Sequence, residues 1–155
     1  MKSKQQQSYV DLIERKDGLC YKKYTRGGPF TGNRKRFYSK GKLWLEENWK
    51  KGKLHGPYEN YLNSGRNHRL YVKGNYKNGK EDGLWENYHD NGQLFFKVNY
   101  KNGKVEDGPF EEFHENGQLR SKTNFKNGKQ HGIQWNYDED GSFMYKLKFK
   151  KGKHI

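Results

Sequence analysis

Apolar and polar positions alternate with period two through much of the chain. Leu94, Phe96, Val98 and Tyr100 recur at every second residue with Lys97 and Asn99 between them, and Phe143, Tyr145, Leu147 and Phe149 do the same around Lys146 and Lys148. Period two over eight residues predicts a strand with one covered and one wet face. Upstream of each such stretch lies a shorter strand-like segment, such as Pro-Phe-Glu-Glu-Phe-His, with a ring at Phe37, Tyr61, Tyr88, Phe113 or Tyr137. Asn91-Gly92 and Asn116-Gly117 mark the turns that join the two halves. No segment has helical periodicity, so the covered face must be curled or packed on itself.

Glycines set the period. Gly32, Gly56, Gly83, Gly108 and Gly132 open five units; Gly41, Gly65, Gly92, Gly117 and Gly141 follow nine residues later; Gly52, Gly79, Gly103, Gly128 and Gly152 close them, each followed by lysine. Recurrence near 25 residues is the signature of a repeat protein. The expected fold is all-β, an elongated single-layer antiparallel sheet of tandem β-hairpin repeats over 32–155. Residues 1–8 read as a flexible tail, and 9–31, with Tyr9, Val10, Leu12 and Ile13, as an N-terminal cap and degenerate first repeat. The second unit carries three extra residues near Asn67-His68-Arg69, which predicts a bulge or a longer hairpin tip.

Register decides which residues share a face, because a one-residue slip exchanges the two faces. A two-residue Asn-Gly turn would pair Phe113 with Arg120. A three-residue loop with left-handed glycine would pair it with Leu119. The second places both recurrent apolar positions on one face and is preferred. On that register Tyr58, Trp85 and Phe110 point to the other face, beside Lys73, Lys97 and Lys122.

Composition agrees with a thin β structure. Only 30% of residues are hydrophobic and mean hydropathy is −1.44, yet 16% are aromatic, unlike disordered chains, which are poor in rings. Cys20 is the single cysteine, so neither an internal disulfide nor a disulfide-linked partner is expected. The N-terminal MKSKQQQSYVDLIERK lacks the apolar core of a signal peptide, and no run is long enough to span a membrane; the expected location is cytoplasmic. The net charge of +14 points to an acidic protein surface, nucleic acid or, on charge alone, an anionic membrane surface.

The string PFTGN at Pro29–Asn33, preceded by DGLCYKKYT and followed by repeated DGxxxxYxxNGQLxxxxxYKNGK, resembles the MORN-repeat variant proteins of bacteria, many of them labelled YwqK-type antitoxins. The resemblance covers about residues 9–155. It implies a MORN-like array of single-layer hairpins that binds rather than catalyses. The chain departs from the pattern in the insert of the second unit, in Val105-Glu106, and in Asp140-Gly141-Ser142.

Candidate chemistry is correspondingly sparse. His89 and His114 hold one repeat position and His55 and His131 another; successive equivalent positions are about 10 Å apart, too far to share a metal, so no metal or cofactor is expected. Glu111 and Glu112 point to opposite faces of a strand, and Asp138–Asp140 are turn formers; no nucleophile–base pair stands out, and no enzyme is expected. Two surfaces remain. A basic edge is expected from the loops closing the units, through Lys50, Lys51, Lys53, Lys77, Lys80, Lys101, Lys104, Lys126, Lys129, Lys150, Lys151 and Lys153. A partner-binding set is expected from Trp44, Tyr58, Tyr71, Trp85, Phe95 and Phe110 with Lys97, Arg120 and Lys122. The first expectation for function is a non-catalytic protein that binds and neutralises a protein partner, antitoxin-like or an inhibitor of a host system; the alternative is a nucleic-acid-binding module using the lysine edge and exposed rings.

Overall fold

The computed structural model describes residues 11–23, 26–64 and 67–155. The expected tail, Tyr9, Val10 and Gly65 lie outside them. A short hairpin, β1 (Leu12–Glu14) and β2 (Cys20–Lys22), precedes the array. Five hairpins follow: β3 (Gly32–Phe37) with β4 (Leu43–Lys50), β5 (Lys53–Ser64) with β6 (Asn67–Lys77), β8 (Gly83–Tyr88) with β9 (Leu94–Lys101), β11 (Gly108–Phe113) with β12 (Leu119–Lys126), and β13 (Lys129–Tyr137) with β14 (Phe143–Lys150). The two-residue strands β7 (Lys80–Glu81), β10 (Lys104–Val105) and β15 (Lys153–His154) fold back on β6, β9 and β14. Together β3–β15 form one open antiparallel sheet of 13 strands in chain order, and no helix occurs among the described residues. The three extra residues of the second unit lengthen its hairpin, whose ladder runs out to Ser64 opposite Asn67.

Two kinds of turn alternate. At the tips, His114 N–H bonds Gln118 O and Gly117 N–H bonds His114 O, with Gly117 at φ 85°. This is the expected three-residue loop, and Phe113 does face Leu119. At the opposite edge, pairs such as Asn127-Gly128 both have positive φ (54° and 68°). Two such residues between paired Lys126 and Lys129 make a two-residue turn whose twist matches that of the strands.

Near every tip the second strand carries an extra residue, one pair in for four hairpins and four pairs in for the lengthened second hairpin. Phe113 pairs with Leu119, but Glu112 pairs with Ser121, so Arg120 has no partner. The same shift leaves Trp44, Tyr71, Phe95 and Met144 unpaired in the other hairpins. A bulge of this kind moves the rest of the ladder by one residue, and it overturns the expected face assignment. Tyr58, Trp85 and Phe110 pair with Gly74, Val98 and Thr123, which puts them on the buried face. Tyr61, Tyr88 and Phe113 instead stand beside Glu59, Lys73 and Lys97: Tyr61 OH donates to Glu59 Oε2 at 2.7 Å, and Lys73 and Lys97 lie 5.7 and 5.8 Å over the rings of Tyr88 and Phe113.

All buried residues of the five hairpins lie on that one face: Arg34, Leu45, Glu47, Trp85, Val98, Ser121, Thr123 and Asn136. With no second layer on it, the face covers itself with rings. Tyr76 and Tyr100 flank Trp85 edge-on at 5.0 and 6.2 Å, and Phe110 bridges Phe96 and Phe125 at 5.5 and 5.6 Å. Room comes from glycine. The opening glycine of each unit pairs with the last aromatic of its hairpin, Gly56 with Tyr76, Gly83 with Tyr100 and Gly108 with Phe125, so a ring covers each exposed backbone. Burial pushes the Tyr76 hydroxyl up to about 12.

The closest of these contacts involves Gly74. A Cβ there would sit 2.2 Å from Trp85 Cδ2 and 2.4 Å from Cε2, so the indole must move if any side chain is added. Gly74→Ala is expected to cost roughly 1–3 kcal/mol through overpacking. The same change in a Trp85→Leu background should cost less than half of that. Urea and thermal unfolding followed by circular dichroism read both; an unchanged midpoint for Gly74→Ala would disprove the packing of indole on glycine.

Candidate functional site

Surface chemistry divides between a polar face, the two edges, and the column of bulge residues. The polar face carries a row of charge at its centre. Lys35 bonds Glu46 at 3.0 Å, Lys73 bonds Glu86 at 2.7 Å, and Glu111 is shared by Lys97 at 3.3 Å and Lys122 at 3.0 Å. Alternating signs follow from the second to fourth units, which put Glu on the first strand and Lys on the second (Glu86 opposite Lys97, Glu111 opposite Lys122), while the first hairpin reverses them with Lys35 opposite Glu46. The two lysines hold the Glu111 carboxyl below its usual range, with the Lys122 bond the larger cause. The Lys73 ammonium is held above its usual range by Glu86 and then Tyr88. Lys97 and Lys122, expected at a binding surface, are therefore already engaged with Glu111.

The tips are stapled to one another. His89 Nε2–H donates to Phe113 O at 2.8 Å and His114 Nε2–H to Tyr137 O at 2.9 Å, one hairpin on. Asn91 and Asn116 bond the next tip at Glu115 O and Glu139 O, while Arg69 bonds Asp90 at 2.8 Å. These histidines act structurally, and among the described residues no cluster of His, Cys, Asp or Glu could hold a metal ion. Burial raises the Cys20 thiol above its usual range.

Along the edge of unit-closing turns, lysines face one another in pairs. The turns set Lys50 opposite Lys53, Lys77 opposite Lys80, Lys101 opposite Lys104, Lys126 opposite Lys129 and Lys150 opposite Lys153. Like charges directly opposite destabilise a ladder by roughly 0.2–1 kcal/mol per pair. Among the described residues Lys101 is the one member of this edge that meets a carboxylate, Asp82 at 3.5 Å. Glu81, Asp82, Glu106 and Asp107 interrupt the middle of the edge; Lys51 and Lys151 add to its two ends. At the C-terminal end Lys126, Asn127, Lys129, His131 and Lys151 line a cavity of about 470 Å³.

The bulge residues form a column across the sheet. Trp44, Tyr71, Phe95, Arg120 and Met144 hold the same position in successive hairpins, each unpaired across its own ladder. Trp44, Tyr71 and Met144 are 37, 42 and 54% exposed. Arg36 lies 5.5 Å over the Trp44 ring, and Phe95 packs on His89 at 4.7 Å, so two of the five are held in place by neighbours. Of the rings expected at the site, Trp44, Tyr71 and Phe95 share this column. Trp85, Tyr58 and Phe110 are within the self-covered face, Trp85 being 7% exposed, and Phe95 borders that face through Phe96 at 5.2 Å.

Three segments, residues 30–51, 81–102 and 106–127, match the family model for the MORN repeat variant. They correspond to the first, third and fourth hairpins with their turns. MORN repeats form a non-catalytic repeat family associated with binding to membranes or proteins. No curated protein matches the chain. The second and fifth hairpins, outside the matched segments, carry the lengthened tip and the replacement of Glu by Trp135 in the charge row. No helix of the described residues is long and apolar enough to cross a membrane.

Glu111 gives the polar face a pH signature. A carboxyl depressed in the folded state contributes stability that is present above its unfolded value, near ~4.3, and is lost as pH falls through the folded value. Stability should therefore decline between about pH 5 and 3. Glu111→Gln should cost roughly 0.5–1 kcal/mol at pH 7 and nothing at low pH. Urea midpoints across that range measure it, and a pH-independent difference would show that the shared carboxylate is not the cause.

Proposed function

We propose that this chain is a non-catalytic binding array that engages a protein partner through its bulge column and neutralises it, as an antitoxin or an inhibitor of a host system does. One observation carries the reading. The five equivalent bulge positions are filled by Trp44, Tyr71, Phe95, Arg120 and Met144, the residue types enriched at the cores of protein interfaces. A repeat architecture has no need of this selection, since an unpaired bulge residue contributes little to the ladder. The spacing of about 10 Å per hairpin lets a single partner meet several of them. The match to a binding repeat supports the same class of function.

Capture from the native host at physiological salt is expected to recover one stoichiometric protein. Trp44→Ala and Tyr71→Ala should each weaken it at least tenfold, about 1.4 kcal/mol, while Lys122→Ala should change it less. Recovery of no stoichiometric protein would sink the proposal.

The unneutralised lysine pairs favour a second reading, nucleic acid tracked along the basic edge. Fluorescence polarisation with labelled single- and double-stranded oligonucleotides tests it. Affinity should fall linearly on a log–log salt plot, and Lys126→Ala with Lys129→Ala should reduce the slope. Binding indifferent to salt, or none, excludes it.

A further inference from the structure

On the lysine edge, the residue before a unit's opening glycine serves that unit's closing turn. Lys51 N–H donates to Thr31 Oγ1 at 2.8 Å, Asn78 N–H to His55 Nδ1 at 3.3 Å, and Asn127 N–H to Asp107 Oδ1 at 2.6 Å. In the third unit the Asp82 carboxylate instead meets the ammonium of Lys101, beside the turn, at 3.5 Å. The fifth unit has His131 at this position and Lys151 as the turn residue. Among the described residues, neither the His131 ring nor the Lys151 N–H takes part in a hydrogen bond.

The cavity of about 470 Å³ lies at this place, between the turns of the fourth and fifth units, with Lys126, Asn127, Lys129, His131 and Lys151 around it. Its volume falls within the range of ligand pockets, about 300–1,000 Å³. Three ammonium groups line it and no carboxylate does. Among the described residues none of the three lysines forms an ion pair, although the turn holds Lys126 directly opposite Lys129. The gap one unit earlier shows what such a turn accepts. There Asp107 brings a carboxylate to the main-chain N–H, and a charge-assisted bond of this kind is roughly twice as strong as a neutral one. In the fifth unit the same turn geometry, with Lys151 at φ 53° and Gly152 at φ 81°, has the ammonium groups and the N–H without the carboxylate.

We propose that this cavity receives an aspartate or glutamate side chain from an acidic segment of the protein partner. The incoming carboxylate accepts from the Lys151 N–H, as Asp107 accepts from Asn127, and sits among the ammonium groups of Lys126, Lys129 and Lys151. Charge argues against a second copy as the occupant, since each chain carries +14 and two copies repel. The inference rests on the protein-binding reading above and adds a contact of defined chemistry away from the bulge column. Complementary charge of this kind steers encounter and fixes the register of the bound partner.

The probe is a labelled acidic peptide, Gly-Asp-Glu-Asp-Gly, titrated into the full chain beside its amide counterpart, Gly-Asn-Gln-Asn-Gly. The acidic peptide should bind saturably and at least tenfold more tightly, moving the Lys151 amide resonance. His131→Asp gives the fifth unit the carboxylate that the fourth already has. It should weaken the acidic peptide at least tenfold while leaving the urea midpoint unchanged or higher, so lost folding cannot account for the loss. Lys50→Gln with Lys53→Gln removes charge elsewhere on the edge and should change binding less than threefold. No saturation, binding untouched by His131→Asp, or equal losses in the two variants would overturn the proposal. So would tighter binding of inorganic phosphate or an oligonucleotide at the Lys151 amide, or self-association that His131→Asp abolishes. His131→Asp leaves the bulge column intact. A host partner captured equally well by this variant would therefore refute the cavity reading alone, whereas peptide binding with no capturable host protein would refute only the neutralising role.

Discussion

A sheet one strand thick must keep water from its apolar side without a second layer to press against it, and every other feature of this protein follows from how it does so. The solution is ring against backbone. Trp85 lies on Gly74, and the closing aromatics face the opening glycines of their own hairpins, so each ring spreads over peptide groups that carry no side chain. Neighbouring rings then meet edge-on or tilted, each such pair contributing about 0.5–1.5 kcal/mol beyond its buried area. The face is continuous because these contacts cross hairpin boundaries: Tyr58 of one hairpin reaches Trp85 of the next at 5.6 Å.

Because contacts join only neighbours, the array also needs ties along its length. At the tips, His89, Asn91, His114 and Asn116 each bond a carbonyl one hairpin ahead. At the opposite edge the turn amides of Gly52, Gly79, Gly103 and Gly152 bond carbonyls beside the preceding turn on that edge, at Phe30, Leu54, Glu81 and Gln130. The N-terminal hairpin joins through the same device, Cys20 N–H donating to Gly52 O at 2.9 Å. With both margins fastened and one face occupied by rings, the unpaired bulge positions are free to vary in residue type, and on them the proposed interaction falls.

Charge is distributed with the same economy of position. In the middle of the polar face opposite signs alternate and satisfy one another. Along the lysine edge like charges are held face to face by turn geometry, and carboxylates enter only at the central units. The C-terminal end combines Lys126, Lys129, Lys146, Lys148 and Lys151 with exposed Phe143, Met144 and Tyr145, so the array is chemically polar from one end to the other. A partner of acidic character would meet attraction and apolar surface at the same place.

Much of this is written locally in the chain. Glycine spacing and period-two alternation determine hairpins, strand count and chain-ordered pairing, because a left-handed turn residue and an alternating strand are properties of a few neighbouring residues. The three-residue tip is also legible, since Asn116-Gly117 followed by Gln118-Leu119 places Leu119 opposite Phe113. What the tertiary structure alone decided is the assignment of faces. The bulge at Trp44, Tyr71, Phe95, Arg120 and Met144 has no signature residue, being filled by rings, a cation and a thioether alike. It arises because the shifted ladder lets Trp85 and Phe110 join the rings of adjacent hairpins, a gain that no single hairpin can register. One extra residue in each second strand thus exchanged the buried and exposed aromatics, sending Tyr58, Trp85 and Phe110 inward and leaving the bulge residues as the surface a partner can reach.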